Sequence, residues 1–544
     1  MVKRFSLFIV LIFIVAGSKA QLIVDSSFGT NGYFIPNYNY LGTFCHKLHE
    51  MPNGDLLSIG TDSGEIRIWK YDASGQSISS YGTNGIAQNP ALDAEEGKMY
   101  WIYDYALYDN DKVLIAVKLF KHNSTHFDSS KYTIALVSFN ADGSINTGFN
   151  GTGYRLDQPA PNHEYAPYAL CVDEVSQRIY VGSEAYVTGQ SSCPMGTGRW
   201  CVSKYKFDGS TDLAFNNIGY VQEKADLINQ GNILQSPLAG IRDMRLRADG
   251  SLRVVGRFHN FDKAYFDMVL KSDGTFDNSF GIGGRTTYAV PYSVLHYEKG
   301  TWCTIFPDQT VLFRTQANES TLGQDSVLMR MVKHKSDGTA DNSFGINGHF
   351  EFKYPTHQNP TFTYNSNNDM LLSYYRQYGT NDQKIEFLSL KENGSIDASF
   401  GTNGYLQTHP IMPDIYANAS VVFDAIWDKD ESHLYLTAPK SYAGTNSHAI
   451  FRYLLAAPLS LENFVEEKIA IYPNPVHAGA RLHIKENLHL LGNVILQDLN
   501  GRYLDCEVQS IGSETEIRIP SDLNSGLYFL RFSNIGSTHS ILVR

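Results

Sequence analysis

Short apolar strands and polar turns alternate along residues 22–455 of this chain. A strand rich in β-branched and aromatic residues, such as 112–120 or 251–258, is followed by a loop of variable length and by a second alternating strand, such as 134–140 or 266–273. The second strand usually ends in an Asp-Gly or Asn-Gly turn, a pair that allows the positive φ angles of a tight hairpin. The pattern predicts repeated units of four antiparallel strands.

One spacing recurs in these units: a glycine, five residues, an aromatic residue, three residues and a second glycine. The leading glycine occurs in the last six copies, at Gly75, Gly143, Gly209, Gly274, Gly338 and Gly394. The aromatic residue and second glycine of the seven copies are Phe28 and Gly32, Tyr81 and Gly85, Phe149 and Gly153, Phe215 and Gly219, Phe280 and Gly284, Phe344 and Gly348, and Phe400 and Gly404. We expect the aromatic residue on the fourth strand of each unit and the second glycine in the turn to the next unit.

Successive motif aromatics lie 53 to 68 residues apart, a period typical of repeat architectures. Four-stranded units at this period predict an all-β fold, a seven-bladed β-propeller over residues 21–455. The seventh unit, from Phe400 to about Leu455, lacks a motif of its own, whereas residues 22–32 carry a motif without preceding strands. We therefore expect residues 22–28 to be the outer strand of blade seven and to close the ring, because an open array would leave an exposed sheet edge.

The pattern changes after residue 455. Residues 456–469 break the period and are predicted to be a linker. Residues 470–544 contain short strands at sandwich-like spacing, which predicts a small C-terminal immunoglobulin-like β-sandwich.

The first 20 residues have the pattern of a secretory signal peptide. Lys3 and Arg4 precede an apolar run over residues 8–16, and small residues precede a cut between Ala20 and Gln21. An uncleaved membrane anchor is the weaker alternative, because the run is short for a bilayer. No other segment predicts a transmembrane helix in the mature chain.

Charge narrows the range of partners. Removal of residues 1–20 changes the formal net charge from −12 to −15, since all three charged residues removed are basic. An acidic body without a basic stripe argues against binding to nucleic acid or to anionic membrane surfaces.

The chain has six cysteines, too few for a disulfide framework in an exported protein of 544 residues. Cys193 and Cys201 close a short loop that contains Gly and Pro and follows two Ser residues, and we predict a disulfide between them. The others are expected to be small buried apolar side chains, at Cys45, Cys171, Cys303 and Cys506.

Candidate metal ligands occur together at Cys45, His46, His49 and Glu50, but an offset of three places the two histidines on opposite faces of a strand. The acidic turns 109–111 and 428–431 lack a complete calcium-loop pattern and are expected to be solvated hairpin turns. No nucleophile elbow, phosphate loop or zinc-protease motif is present. The sequence therefore predicts no catalytic residue, no metal ligand and no cofactor site.

Aromatic residues are dense at Tyr38, Tyr40, Tyr100, Trp101, Tyr103, Tyr105 and Tyr108, and again at Tyr374, Tyr375 and Tyr378. On an exposed propeller face such side chains stack on sugar rings, and between blades they fill the core. The core is favoured because strands are normally rich in tyrosine, but both interpretations stay open.

The seven copies resemble the Delta-60 repeat, a propeller-forming bacterial repeat. The best matches are residues 25–32, 277–284, 341–348 and 397–404. Copies two to four depart from the pattern, with Tyr81 in place of Phe, Asn150 and Asn216 in place of the Gly after the aromatic, and Ile78 and Asn146 in place of the leading Asp. The resemblance covers residues 22–455 and implies the fold, with little chemistry attached to it.

The tail, residues 470–544, resembles the type A C-terminal sorting domain of type IX secretion substrates. The matching elements occur in order: Tyr472, Pro473, Asn474 and Pro475 at the start, Gly501 in a Leu-Asn-Gly-Arg segment, Gly526 and Tyr528 before the last strand, and a basic end at Arg544. The resemblance implies export in two steps, recognition by the type IX secretion machinery, removal of the tail, and a secreted or cell-surface location.

Three functions fit these features. The leading one is a secreted or surface-displayed binding or adhesion module for a glycan or protein ligand. The alternative is a carbohydrate-active enzyme, a glycoside hydrolase or lyase, with carboxylates and a Tyr or His converging on the propeller channel. The third is a structural surface protein without a small ligand. Three or more ionisable residues from different blades in one funnel would favour the enzyme.

Overall fold

The computed structural model describes residues 20–35, 44–93, 98–120, 133–187, 199–223, 225–229, 232–236, 239–258, 264–289, 298–318, 327–354, 360–377, 383–408, 424–442, 445–456, 471–485, 494–498, 502–512, 514–532 and 538–544. Within these ranges β-strands are the dominant element and there is one short helix. The chain's contacts divide it into two compact units, Met1–Leu459 and Ser460–Arg544. None of the described residues belongs to a helix long and apolar enough to cross a membrane.

The elements of the first unit follow the predicted strand pattern. In chain order they are β1 (Gln21–Val24), β2 (Tyr33–Phe34), β3 (Phe44–Glu50), β4 (Leu56–Asp62), β5 (Glu65–Tyr71), β6 (Ile86–Ala87), α1 (Pro90–Asp93), β7 (Lys98–Tyr108), β8 (Lys112–Phe120), β9 (Thr133–Phe139), β10 (Tyr154–Asp157), β11 (His163–Asp173), β12 (Arg178–Val187), β13 (Arg199–Lys206), β14 (Tyr220–Glu223), β15 (Ala225–Asn229), β16 (Asn232–Ser236), β17 (Ala239–Leu246), β18 (Leu252–Phe258), β19 (Ala264–Leu270), β20 (Arg285–Ala289), β21 (Glu298–Ile305), β22 (Val311–Asn318), β23 (Val327–His334), β24 (His349–Tyr354), β25 (Thr361–Tyr364), β26 (Met370–Gln377), β27 (Gln383–Leu390), β28 (Tyr405–Thr408), β29 (Asp424–Trp427), β30 (His433–Tyr442) and β31 (Thr445–Ala456).

Among the described residues these strands form seven antiparallel sheets. Sheets 1 to 6 each contain four strands in chain order: β3–β6, β7–β10, β11–β14, β17–β20, β21–β24 and β25–β28. Sheet 7 contains β29, β30 and β31 together with β1 and β2. In every sheet the first strand of the unit therefore lies at one edge. The hairpin β15–β16 is separate, and the sequence pattern does not predict it.

The N-terminal strand pairs with the last sheet, as predicted. Leu22 lies opposite Leu455 and Val24 opposite Tyr453, and Tyr33 in β2 lies opposite Phe451. The strand is shorter than the predicted 22–28, because it ends at Val24 and Phe28 lies in the turn before β2.

The position of the motif aromatics is a correction to the sequence prediction. They lie in turns, not on the fourth strands, and the second glycine immediately precedes the fourth strand, as Gly153 precedes β10 and Gly348 precedes β24. Seven buried aromatic residues occupy these turns. Their exposed fractions are 0% for Phe28, 3% for Tyr81, 0% for Phe149, 0% for Phe215, 4% for Phe280, 0% for Phe344 and 4% for Phe400.

Each motif joins two consecutive sheets. A Cβ atom added at the leading glycine of one copy would clash with the aromatic ring of the preceding copy. At Gly143, where φ is +82°, it would lie 2.9 Å from the Tyr81 ring. At Gly338, where φ is +83°, it would lie 2.5 Å from the Phe280 ring. The residue that follows the aromatic of one copy donates its N–H to the carbonyl of the residue that precedes the leading glycine of the next copy. The donors and acceptors are Gly29 to Ser74 at 2.8 Å, Gly82 to Asp142 at 2.7 Å, Asn150 to Asp208 at 2.8 Å, Asn216 to Asp273 at 2.7 Å and Gly345 to Asn393 at 2.7 Å. We call this contact the motif latch.

Ala20 forms the latch of the last copy. The N–H of Gly401 donates to the carbonyl of Ala20 at 2.8 Å, and the N–H of Ala20 donates to the carbonyl of Ser399 at 2.9 Å. The N-terminal segment thus takes the place that an Asp-Gly turn holds in the other copies.

Apolar clusters fill the spaces between neighbouring sheets. One cluster joins sheets 1 and 2, another sheets 2 and 3, and others continue through sheets 4 to 7. A further cluster packs Phe28 and Trp69 against Tyr435 and Ile450, so sheets 1 and 7 also share a core. Burial of apolar side chains on this scale is the main stabilising contribution to such a fold.

The second unit contains eight strands among the described residues. They are β32 (Ile471–Tyr472), β33 (Arg481–Ile484), β34 (Val494–Gln497), β35 (Tyr503–Leu504), β36 (Glu507–Ile511), β37 (Glu514–Arg518), β38 (Gly526–Phe532) and β39 (Thr538–Val543). They form two four-stranded sheets, ordered β32-β33-β37-β36 and β35-β34-β38-β39, which share one apolar core.

Candidate functional site

The first strands of the sheets form what we call the inner wall of the first unit. β3 lies against β7, β7 against β11, β11 against β17 and β17 against β21, while β29 lies against both β25 and β3. Side chains from different sheets meet here, so the inner wall can assemble one site from several sheets.

Three aspartates of the inner wall share one arrangement. Each accepts through Oδ2 a hydrogen bond from a backbone N–H in the first strand of the next sheet, and thereby joins two sheets. The donors and acceptors are Leu170 to Asp104 at 2.7 Å, Ile305 to Asp243 at 2.7 Å and Leu48 to Asp424 at 2.8 Å.

The second carboxylate oxygen bonds the aspartate's own strand. The N–H of Tyr105 donates to Asp104 Oδ1 at 3.0 Å, and the N–H of Met244 donates to Asp243 Oδ1 at 2.7 Å. The strand register shifts just before each of these aspartates. Such bulges re-aim side chains, which explains how a carboxylate on an edge strand reaches the neighbouring sheet.

These carboxyls are unusually easy to protonate. Burial raises the pKa of Asp104 to about 6, although the Lys47 charge and the hydrogen bond from Leu170 oppose the rise. Burial raises the pKa of Asp243 to about 7 against the hydrogen bond from Ile305, and the nearby Asp104 charge adds to the rise. Burial also raises the pKa of Asp424. Desolvation disfavours the charged form of a carboxyl, which is the direction seen at all three.

Cationic and phenolic groups from other sheets approach the same region. Arg245 donates from Nε to the carbonyl of Ile305 at 3.0 Å and from Nη2 to the hydroxyl of Tyr364 at 3.4 Å, which connects sheets 4, 5 and 6. The Lys47 charge acts on both Asp104 and Asp424. Ionisable side chains from sheets 1, 2, 4 and 7 therefore meet at the inner wall.

Sequence reasoning missed these aspartates. The detectable signal was an aspartate two residues after isoleucine within a strand, at Asp104 and Asp243, because Asp is depleted in strands. The neighbouring sheets that bond them lie tens of residues away along the chain, and no spacing predicts that contact.

The candidate metal ligands have other partners. Nδ1 of His49 lies 3.0 Å from the hydroxyl of Tyr105, Nε2 of His46 lies 3.3 Å from Thr61 Oγ1, and Glu50 Oε2 accepts the N–H of Lys429 at 2.7 Å. Cys45 is fully buried, and burial raises the pKa of its thiol to about 12. No group of three or more His, Cys, Asp or Glu placed to hold a metal ion occurs in the described ranges.

The two acidic turns bond groups of the protein. Asp109 pairs with Lys112. Asp428 Oδ1 accepts the N–H groups of Ser432 at 2.7 Å and His433 at 2.9 Å, so its carboxylate caps its own turn.

The aromatic groups are divided between core and wall. Tyr108 and Tyr374 are buried, while Tyr103 and Tyr105 are half-buried on β7. The hydroxyl of Tyr105 donates to the carbonyl of Leu48 at 2.9 Å, which joins sheets 1 and 2. The remainder of the predicted aromatics, Tyr38, Tyr40, Tyr100, Trp101, Tyr375 and Tyr378, fall where residues or side chains lie outside the described part.

The predicted disulfide stays a prediction. Cys201 is a fully buried free thiol in β13, with its sulfur 3.7 Å from the hydroxyl of Ser203. Cys193 lies outside the described residues.

In the tail, Asn474 holds the last strand. Its amide donates to the carbonyl of Ser540 at 3.0 Å, and its oxygen accepts the N–H of Leu542 at 2.9 Å. The Tyr472–Pro473 and Asn474–Pro475 peptide bonds are cis. Tyr528 is largely buried and its hydroxyl donates to the carbonyl of Asn524 at 2.9 Å, Gly526 starts β38, and Gly501 lies outside the described residues.

Three of the solved structures that are similar to this chain show distant likenesses. The virginiamycin B lyase from Staphylococcus aureus has a TM-score of 0.37 and 12% identity, covering 77% of this chain and 98% of that one. The polysaccharide lyase Uly1 has a TM-score of 0.37 and 10% identity, covering 81% and 98%. The α-L-arabinofuranosidase Arb93A from Fusarium graminearum has a TM-score of 0.36 and 9% identity, covering 82% and 99%. At these scores the likenesses carry no argument about chemistry.

No curated protein matches the chain. Residues 470–543 match the secretion system C-terminal sorting domain, which is the family of the second unit. This match supports export by a secretion system, with the chain secreted or displayed at the cell surface.

Proposed function

We propose that residues 21–455 form a seven-bladed β-propeller of the Delta-60 type, which binds its ligand at the inner wall. Seven sheets of four or five strands, each with its first strand toward its neighbours' first strands, are typical of propeller blades. The core that sheet 7 shares with sheet 1, together with the pairing of β1 with β31, supports closure of the ring.

The inner wall is the proposed ligand site because ionisable groups from several sheets meet there. The observation that carries this is the set formed by Asp104, Asp243 and Asp424, three carboxyls of raised pKa with the Lys47 and Arg245 cations nearby. Perturbed ionisable groups cluster at functional sites more often than elsewhere.

Binding is favoured over catalysis by the hydrogen bonds of these carboxylates. Both oxygens of Asp104 and Asp243 accept backbone N–H groups, so each is already occupied in joining strands. The alternative, a glycoside hydrolase or lyase, is favoured by the pKa of Asp243, since a carboxyl that titrates near 7 suits general acid–base chemistry.

A glycan array with released-sugar analysis on the mature chain, residues 21–544, tests this proposal. We expect retention of a defined glycan without release of sugars, and weaker retention by Asp243→Asn. Asp337→Asn, in an outer turn, is the matched control and should bind like the parent. Turnover that disappears in Asp243→Asn would establish the enzyme instead, and a surface that captures neither glycan nor protein would leave the structural role.

The proposed export path uses both ends of the chain: a signal peptide at 1–20, a linker at 456–469, and a sorting domain at 470–544 that is removed after passage. The tail match carries this proposal. Deleting residues 470–544 should leave a folded protein in the periplasm, because all strands of the first unit lie outside the deletion. Normal surface levels of the truncated protein would contradict it.

A further inference from the structure

Arg314, on β22 in sheet 5, is a buried cation without an ion-pair partner among the described residues, although the charge of Asp243 acts on it from a longer distance. It is 8% exposed, and in the described part of the chain no carboxylate forms an ion pair with it. Its Nε has no hydrogen-bond partner, and Nη2 has only the hydroxyl of Thr304, at 3.4 Å. Burial lowers the pKa of its guanidinium to about 10.

Arg253, a fully buried arginine in the neighbouring sheet 4, shows how this chain compensates a buried positive charge. Its Nε donates to Asp267 Oδ1 at 2.9 Å and its Nη2 to Oδ2 at 2.5 Å. Further donors bond the carbonyls of Lys335 at 3.0 Å and Ser336 at 3.2 Å. A buried charge is costly unless it is paired, so the isolation of Arg314 needs a reason.

The guanidinium of Arg314 lies against an aromatic ring. It lies over the ring of Phe362 in sheet 6, 4.1 Å from the centroid. A planar guanidinium that is stacked in this way presents its N–H fork in one direction, which favours bidentate recognition of a carboxylate. Thr304 and Phe362 beside it are half-buried, so both side chains keep some accessible surface.

A second stacked guanidinium lies on the same wall. Arg242, in β17, lies 4.0 Å above the Tyr168 ring, and its only ion pair among the described residues is a long one to Glu184, at 3.7 Å. The charges of Arg242, Arg257 and Arg314 all act on the thiol of Cys303. The Asp243 carboxyl acts on the same thiol, so three cations and one carboxyl approach this stretch of the wall.

The same stretch is rich in accessible rings. Tyr103, Tyr168, Trp302 and Phe362 are half-buried on the first strands of sheets 2, 3, 5 and 6, and the rings of Tyr103 and Tyr168 lie 4.4 Å apart. Ring faces and a few directed polar groups are the usual lining of a site for a small organic ligand.

We propose that the inner wall of sheets 3 to 6 binds a carboxylate-bearing sugar, with Arg314 and Arg242 holding the carboxylate groups. This inference rests on the proposed binding function and names its ligand class. The ligand's carboxylate forms the ion pair that Arg314 lacks. In the unliganded protein Arg314 stays buried and unpaired, which lowers the stability of the fold.

The test titrates the mature chain, residues 21–544, with an oligogalacturonate by calorimetry and follows the melting temperature of each sample. Arg314→Met keeps the length of the side chain and removes the charge. We expect affinity to fall at least about tenfold, because a charge-assisted pair is lost. The unliganded variant should melt at or above the parent temperature, because an unpaired buried charge is gone.

Arg285→Met is the matched control, since Arg285 lies 4.1 Å over the Phe276 ring but on the outer part of sheet 4. It should bind like the parent. Arg314→Lys serves if the methionine variant does not fold. It keeps the charge but not the fork, and it should also bind more weakly than the parent.

Other outcomes overturn the inference. An Arg314→Met protein that is less stable without ligand but binds equally well would make Arg314 structural. A sulfated oligosaccharide that binds as tightly as the oligogalacturonate would show that a sugar carboxylate is not required. An acidic peptide that binds as tightly, and that needs Arg314 to do so, would show that the ligand is not a sugar. Binding of a neutral glycan that Arg314→Met leaves unchanged would leave the binding function intact and reject this site. No binding of any glycan would reject both.

Discussion

The outer and inner edges of the same sheets differ in how they use their residues. At the outer edge the sheets repeat one device. A buried aromatic lies under a glycine in every copy except that of Phe400, and a backbone hydrogen bond is described beside six of the aromatics. At the inner wall the corresponding strands carry different residues, including Lys47, Asp104, Asp243 and Arg245. Repetition outside and variation inside indicate that the outer edge maintains the fold, while the inner wall is free to specialise.

The two edges also hold their aspartates in opposite electrostatic states. At the outer edge, Asp337 accepts hydrogen bonds from the Thr339 hydroxyl at 2.7 Å and N–H at 2.9 Å, and these bonds lower its pKa. At the inner wall, burial outweighs similar bonds and raises the pKa of Asp243. The same residue type with comparable hydrogen bonds thus stabilises the charged form in one place and the neutral form in the other.

The largest effect is expected from removing the N-terminal part of the outer edge. Deleting residues 21–34 removes β1, β2 and Phe28, and it leaves the backbone groups of β31 unpaired. We expect a loss of more than about 5 kcal/mol, since burying a Phe alone contributes about 3–5 kcal/mol. Thermal unfolding and light scattering measure it. A deletion variant that melts with the parent and stays monomeric would show that β1 does not hold the first unit together.

A single motif aromatic should have the next largest effect. Phe344→Ala is expected to cost about 3–5 kcal/mol, because the ring is fully buried between sheets 5 and 6. Ile346→Ala in the same turn is the control, since Ile346 is 78% exposed and should change stability little. Urea unfolding of both proteins makes the comparison. Equal losses would mean that the turn, and not the aromatic, is what matters.

The aspartate comparison predicts opposite dependences on pH. The folded-state pKa of Asp243 is raised above its unfolded value, so its contribution to stability is present at low pH and is lost as pH rises from about 4 through about 7. The pKa of Asp337 is lowered, so its contribution is present above the unfolded pKa and is lost as pH falls through the folded one.

Melting temperatures of the parent, Asp243→Asn and Asp337→Asn between pH 3 and 8 test these signs. Asp243→Asn should gain stability relative to the parent as pH rises, because Asn cannot ionise. Asp337→Asn should gain relative to the parent as pH falls. Parallel curves for the two variants would show that the two edges do not differ electrostatically.

The smallest effect concerns the latch formed by Ala20. A chain that starts at Ala20 keeps the hydrogen bond from Gly401, whereas a chain that starts at Gln21 lacks its acceptor. The bond from Ala20 to Ser399 is lost as well, so we expect a difference of about 1–3 kcal/mol, the usual contribution of two hydrogen bonds. Chains released from a cleavable fusion at residues 19, 20 and 21 allow the measurement. Chains that start at residues 19 and 20 should have the same melting temperature. If the chain that starts at residue 21 also melts at that temperature, the latch at Ala20 contributes nothing to stability.

The sequence by itself determined what is local and repeated. Alternating strands, Asp-Gly turns and the glycine–aromatic spacing were enough to predict four-stranded units and the pairing of β1 with the last sheet. Each of these depends on short-range geometry that the chain repeats in every copy. The position of the aromatics in turns was missed, because spacing does not show on which side of a glycine a strand begins.

Only the tertiary structure decided the inner wall. Asp104 and Arg314 lie on two different strands, and no sequence pattern predicts the partner of either of them. In the folded protein β11 supplies an N–H to Asp104, and Phe362 supplies a ring to Arg314. Their partners come from sheets tens of residues away, and the pKa of each group follows from the atoms packed around it. Burial determines the energetic cost of a charged group and shifts its pKa, and burial is established only when the sheets pack together.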